Sequence, residues 1–103
     1  MSLQITSAVN DSVATIKLIG TVDTKTAPEF LQQLTELELS SLSQLKIDMN
    51  EMSFMSSAGL RALLFAKQKM NQDSKLIVFG ANEGVVDTIK KTGLSQAIHI
   101  SEE

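Results

Sequence analysis

The chain has 103 residues, 43% of them hydrophobic, with nine basic against twelve acidic side chains and a net charge of −3. That length fits one domain able to bury roughly 65% of the surface its unfolded chain exposes, and the apolar content excludes a disordered chain. The acidic balance lacks the basic excess of a nucleic-acid binder, and the absence of cysteine removes disulfides, thiolate metal sites and cysteine nucleophiles together.

In chain order, "LQITSA" (3–8) and "SVATIKLIG" (12–20) alternate with period two around Asn10-Asp11, which is turn chemistry, and predict a β-hairpin. "GTVDTKTAPEF" then reads as a loop in which Thr26 is the expected N-cap and Pro28 suits the first helical turn. Phe30, Leu31, Leu34, Leu37 and Leu39 supply the apolar face of that helix. "QLKIDM" (44–49) predicts a short strand, followed by a loop "NEMSFMSS" and a second helix over about 58–71 carrying Leu60, Leu63, Leu64 and Met70. "KLIVFG" (75–80) is nearly continuous in apolar residues, as expected of a strand buried on both faces. Asn82 is the expected cap of a third helix with Val85, Val86 and Ile89, stopping at Gly93, and "AIHI" (97–100) is a candidate last strand. The order ββαβαβα, with a possible final β, implies an α/β domain: a small mixed sheet of four or five strands with helices on one or both faces. The whole chain, 1–103, reads as that one domain.

Enzyme chemistry finds little footing. The single histidine, His99, lies in an expected edge strand, without a nucleophile and an orienting group around it. "SSAGL" lacks the first glycine of a nucleophile elbow. One imidazole and scattered carboxylates make no zinc site. Gly80 to Gly84 is one residue too short for a P-loop and lacks the Lys-Ser/Thr that follows it. Lys67/Lys69 and Lys90/Lys91 read as solvated faces. No apolar run approaches ~18 residues, so no transmembrane helix or membrane insertion is expected. Met49, Met52 and Met55, three apart, are either gap-filling core or an adaptable rim for a protein partner. "MSSAGLRALL" (55–64) places Ser56 and Ser57 before an apolar helical run. Either serine suits an N-cap, and a helix N-terminus also receives a phosphate readily, because it carries free N–H donors and about half a positive charge. A phosphoserine there adds roughly −1.5 to −2 charge, which a partner covering the loop would have to desolvate.

"LIGTVDTKTAPEF", "LKIDMNEMSFMSSAGLRALL" and "KLIVFGANEGVVDTIKKTGL" resemble, in that order, the STAS domains of bacterial anti-sigma factor antagonists. The resemblance spans essentially the whole chain and implies a small mixed sheet flanked by helices. It also implies a switch. The unphosphorylated protein binds an anti-sigma factor that is also a serine kinase of the GHKL ATPase class, and a sigma factor is freed. Phosphorylation then ends the complex, and a metal-dependent serine phosphatase resets it. By the family motif Asp-Ser-[Ser/Thr/Ala]-Gly-Leu, the modified residue is Ser57. Ser56 stands where the family has an acid and is the alternative acceptor. The expected partner surface is Asp23, Thr24, Ser56, Ser57, Gly59 and Arg61: Asp23 matches a family position near that surface, while Arg61 stands where the family commonly has a small residue and, exposed and cationic near Ser57, can touch the phosphate or an acidic partner. Asp48 matches the family's acid at the end of the central strand and is given a structural role. A cytoplasmic protein without cofactor or metal is expected, with monomer as the default. The "SVATIKLIG" strand is the candidate edge for pairing with a second copy. Two other readings compete: a cytosolic STAS subunit of a membrane lipid- or anion-transport assembly, and direct nucleotide binding.

Overall fold

The computed structural model describes residues 3–93 and 98–101. Its elements are β1 (Leu3–Asn10), β2 (Val13–Val22), α1 (Ala27–Thr35), a 3-10 turn (Leu39–Ser41), β3 (Gln44–Met55), α2 (Ser57–Lys69), β4 (Lys75–Phe79), α3 (Glu83–Lys91) and β5 (His99–Ser101). The expected hairpin is β1–β2, closed by the two residues Asp11 and Ser12. Asp11 takes φ +57°, a conformation that a short polar side chain tolerates. Strands β2 to β5 are parallel and stand in sequence order, so the sheet runs β1-β2-β3-β4-β5. Ala97, with which the last strand was expected to begin, lies outside the described residues.

Three crossovers that all advance in one direction with the usual right hand put every helix on the same face. Burial agrees: Ala14, Ile16 and Leu18 of β2, Leu45, Ile47 and Met49 of β3, and Leu76 and Val78 of β4 are enclosed. They meet Phe30 and Leu34 of α1, Leu60 and Leu63 of α2, and Val85 and Ile89 of α3 in one core. The opposite sheet face is open and carries the Lys17–Glu51 ion pair at 2.8 Å, an exposed pair that contributes little. β4 is therefore buried on one face, not two. Its alternate residues Ile77 and Phe79 are only half-buried, shielded by their neighbours on the open face. Nor is β2 an edge: it lies between β1 and β3, and the free edge belongs to β1.

The largest departure from the sequence reading is β3. It continues to Met55, through residues expected to form a loop. The reason lies in its register with β2. Lys17 pairs with Asp48 but Ile19 with Glu51, and Gly20 pairs with Met52 but Thr21 with Phe54. β3 thus carries an extra residue at each of two β-bulges. Each bulge turns a spacing of two into a spacing of three between side chains on the same face. That is why Met49, Met52 and Met55 all enter the core, at 1%, 4% and 2% exposure. Of the two readings of these methionines, core packing is the one observed. Gly20, at φ +112°, turns the backbone at the second bulge, where the Ser53 hydroxyl donates to the Gly20 carbonyl at 3.1 Å.

β4 ends where Gly80, at φ +75°, turns the chain beneath the Asn50 side chain. β3 consequently outruns it, and Asn82 covers part of the overhang. Its Nδ2 donates to the carbonyls of Met52 (3.2 Å) and Ser53 (3.4 Å), while its Oδ1 accepts from the Val85 N–H at 2.9 Å and caps α3 as expected. Gly93, at φ +78°, follows the end of that helix.

Asn82→Asp keeps the cap but loses the amide donor to β3, whereas Asn82→Ala loses both. Urea unfolding should show a loss of about 1–2 kcal/mol for Asn82→Ala and a smaller one for Asn82→Asp. Equal losses would mean that the cap bond carries little of the effect.

Candidate functional site at the ends of strands 2 and 3

Side by side in the sheet, β2 and β3 finish together, with Val22 paired to Met55. The carboxyl ends of parallel strands are where such folds present loops for recognition. Two loops leave here, one into α1 and one into α2, and the Ser56 N–H donates to the Val22 carbonyl at 2.8 Å to hold them in register.

The first loop is built on Asp23. Its Oδ1 accepts the backbone N–H groups of Lys25 (2.9 Å) and Thr26 (3.0 Å), an Asx-type turn. The N–H groups of Thr26 and then Lys25 hold the Asp23 carboxyl below its usual range. Thr26 occupies the N-cap position of α1 but makes no side-chain cap bond. Its hydroxyl donates to the Thr21 carbonyl at 2.8 Å and accepts the Asp23 N–H at 2.9 Å, tying the loop down. Thr24, at the tip, is exposed.

In the second loop the two serines part company. Ser56 is the N-cap of α2, as the sequence allows, but its hydroxyl forms no cap bond. Its Oγ is buried and is without a hydrogen-bond partner among the described residues. Ser57, the first residue of α2, is exposed. A step of one residue rotates a helical side chain by about 100°, enough to turn one hydroxyl inward and the next to solvent. α2 has no acidic residue in its first turn and two cations, Lys67 and Lys69, in its last. The positive end of its dipole is thus uncompensated just where Ser57 sits.

Gly59 does not offer a surface: it is buried, and the site's geometry depends on what it lacks. A Cβ there would come within 2.7 Å of Met55 Cγ and 2.8 Å of Val22 Cγ1. The missing side chain lets the mouth of α2 press onto the paired ends of β2 and β3. Arg61 is exposed, one helical turn after Ser57 and on the same side of α2. Thr24 and Arg61 both border a shallow groove of about 270 Å³ between α1 and α2, with Pro28, Leu31, Ala58 and Phe65 among its lining. The structure therefore gathers Asp23, Thr24, Ser57 and Arg61 around one end of the sheet, with Gly59 beneath them. Asp48 lies apart, on β3, where its Oδ1 accepts the Asn50 N–H and side-chain amide.

Sequence reading missed the groove residues Pro28, Leu31 and Phe65, and it missed Phe54, which is 53% exposed three residues before Ser57. A signal for Phe54 did exist: it falls outside the three-residue spacing of the buried methionines. Among the described residues no cluster of three His, Cys, Asp or Glu side chains could hold a metal, and no helix is long and apolar enough to cross a membrane.

Comparison with known proteins bears on the family and the fold. The chain is 26% identical over 103 residues to the anti-sigma-B factor antagonist of Staphylococcus aureus (strain NCTC 8325 / PS 47), covering 99% of this chain and 95% of that protein. The same figures hold for the Staphylococcus epidermidis anti-sigma-B factor antagonist. Among solved structures, an anti-sigma factor antagonist from Mycobacterium paratuberculosis superposes with a TM-score of 0.88 at 24% identity, covering 99% of this chain and 87% of that one. The Bacillus cell fate determinant SpoIIAA in its phosphorylated form gives 0.71 at 15% identity, covering 99% of this chain and 93% of that one. The family model for the STAS domain matches residues 4–103, and with that match the chain belongs to the STAS domain family.

Proposed function

We propose that this chain is an anti-sigma factor antagonist whose unphosphorylated form binds an anti-sigma factor and whose release is driven by phosphorylation of Ser57. One observation carries the reading: an exposed hydroxyl at the first position of a helix with an uncompensated positive end, beside the groove bordered by Thr24 and Arg61. The antagonist names of the relatives favour it over a subunit of a transport assembly.

The partner in this reading is an anti-sigma factor that is itself a serine kinase of the GHKL ATPase class. With ATP bound to that kinase, the Ser57 oxygen attacks the γ-phosphorus. An Oγ–P bond forms, the bridging P–O bond to the β-phosphate breaks, ADP leaves, and the hydroxyl proton passes to a base on the kinase. The new group brings roughly −1.5 to −2 charge to a side chain that had been neutral. α2 tolerates it, because free N–H groups and the helix dipole face it, and Arg61 stands one turn away. A docked partner does not, since closing over the loop would strip water from the anion. No refolding is needed. SpoIIAA solved unphosphorylated and SpoIIAA solved phosphorylated resemble this chain with TM-scores of 0.73 and 0.71, a likeness of fold. A metal-dependent serine phosphatase returns the hydroxyl.

Incubation with the cognate kinase and ATP, followed by peptide mass spectrometry, should place the phosphate on Ser57. Ser57→Asp should weaken partner binding by about tenfold or more, near 1.4 kcal/mol, while Ser57→Ala should bind normally and resist release. Equal affinities for the two variants would contradict the charge mechanism.

Ser56→Ala separates the two serines. The Ser56 hydroxyl makes no hydrogen bond among the described residues, so its removal should change unfolding stability by less than about 0.5 kcal/mol, below the usual cost of losing a cap, and phosphorylation should persist. Loss of the phosphate in this variant would move the acceptor to Ser56.

A further inference from the structure

Most sheet edges are defended by charge, proline, a bulge or short length. The β5 edge is only three residues long, and the overhang of β3 is bulged and partly covered by Asn82. β1 has none of these defences. It is eight residues long, "LQITSAVN", without a charged side chain or proline, and its register with β2 is unbroken from Leu3 to Asn10. Its other side pairs with no strand among the described residues.

Register decides which backbone groups are left over. A two-residue hairpin loop makes Asn10 and Val13 a hydrogen-bonded pair, so the even-numbered residues of β1 bond to β2. The N–H and C=O groups of Leu3, Ile5, Ser7 and Val9 therefore point outward along the free edge. We propose that this edge pairs antiparallel with β1 of a second copy, joining two sheets across a two-fold axis at Thr6.

The occupant follows from the strand's own pattern. With Thr6 across from Thr6, Leu3 falls opposite Val9 of the second copy and Ile5 opposite Ser7, so all the outward residues exchange hydrogen bonds. Leu3, Ile5, Ser7 and Val9 share the helix-covered face of the sheet, because their β2 partners include the buried Ala14, Ile16 and Leu18. Val9 is 56% exposed, one of two large hydrophobic side chains so placed among the described residues. In this register it gains Leu3 of the second copy as a cross-strand neighbour. On the open face, Gln4 lies opposite Ala8, and the Thr6 pair is of a type that stabilises antiparallel strands. No like charges meet anywhere along the interface. A two-fold axis makes the pairing self-limiting: each copy uses its β1 edge once, and a closed dimer results. The interface uses none of Asp23, Thr24, Ser57 or Arg61, so its failure would leave the phosphorylation reading untouched.

Sedimentation equilibrium of the full chain, from micromolar to millimolar, should show the mass rising from 11.2 kDa toward twice that value. Amide exchange at Ile5, Ser7 and Val9 should slow over the same range, while Gln4, Thr6 and Ala8, already bonded to β2, should not change. Thr6→Glu sets two carboxylates against each other at the axis while facing Lys17 within its own chain. Ser7→Pro removes an outward N–H that β2 does not use. Both should hold the mass at 11.2 kDa with an unaltered far-UV spectrum. A monomer at every concentration, concentration-independent exchange at Ile5, Ser7 and Val9, or a dimer that survives both substitutions would overturn the proposal.

Discussion

The pairing of β2 with a longer β3 governs the arrangement of this domain. Two parallel strands that begin together at Val13 and Gln44 must also end together at Val22 and Met55, although β3 holds two more residues than β2 over that span. The surplus is absorbed in two bulges, and each consequence follows from that accommodation. Met52 and Met55 are turned back into the core. The strand ends come level, which lets the Ser56 N–H reach the Val22 carbonyl. α2 then starts directly above the pair, close enough that only a glycine fits at position 59. Methionine suits this work: its unbranched, flexible chain fills the irregular space that a bulge leaves, where a β-branched side chain would be held to one rotamer.

Built this way, the site divides labour between what is fixed and what is presented. The Asp23 turn, the Thr26 hydroxyl and Gly59 hold positions, and each is spent on internal contacts. Thr24, Ser57 and Arg61 are left facing outward on that rigid base. The apolar groove beside them extends the surface without deepening it into a pocket that would enclose a small molecule. Such a surface suits a protein partner, in keeping with the regulatory names of the relatives.

Much of this was legible because the signals are local. The hairpin announces itself through Asn10-Asp11, α3 through Asn82 and Gly93, and the mouth of α2 through its serines. The order of elements followed from these signals, and the family resemblance agreed with it. What escaped depends on pairing between distant segments. The period-two pattern of β3 breaks at the bulges, and a strand with three-residue spacing reads as a loop. β4 looks doubly buried because it is apolar throughout, yet no helix covers its second face. Ser56 and Thr26 are residue types that cap helices, but a hydroxyl bonds whatever lies nearest, and only the packed loop determines that. Likewise β1 and β2 are equally strand-like in sequence, and which of them forms the border depends on where β3 docks.

The absence of an acidic side chain from the first turn of α2 has one more consequence. Where an aspartate already occupies a helix mouth, a phosphate deepens a field that is negative beforehand. Here no carboxylate stands in the first turn of the helix, so a phosphate on Ser57 meets the dipole without a like charge beside it on that turn. Ser56, by being neutral, gives Ser57 a quiet background against which to signal.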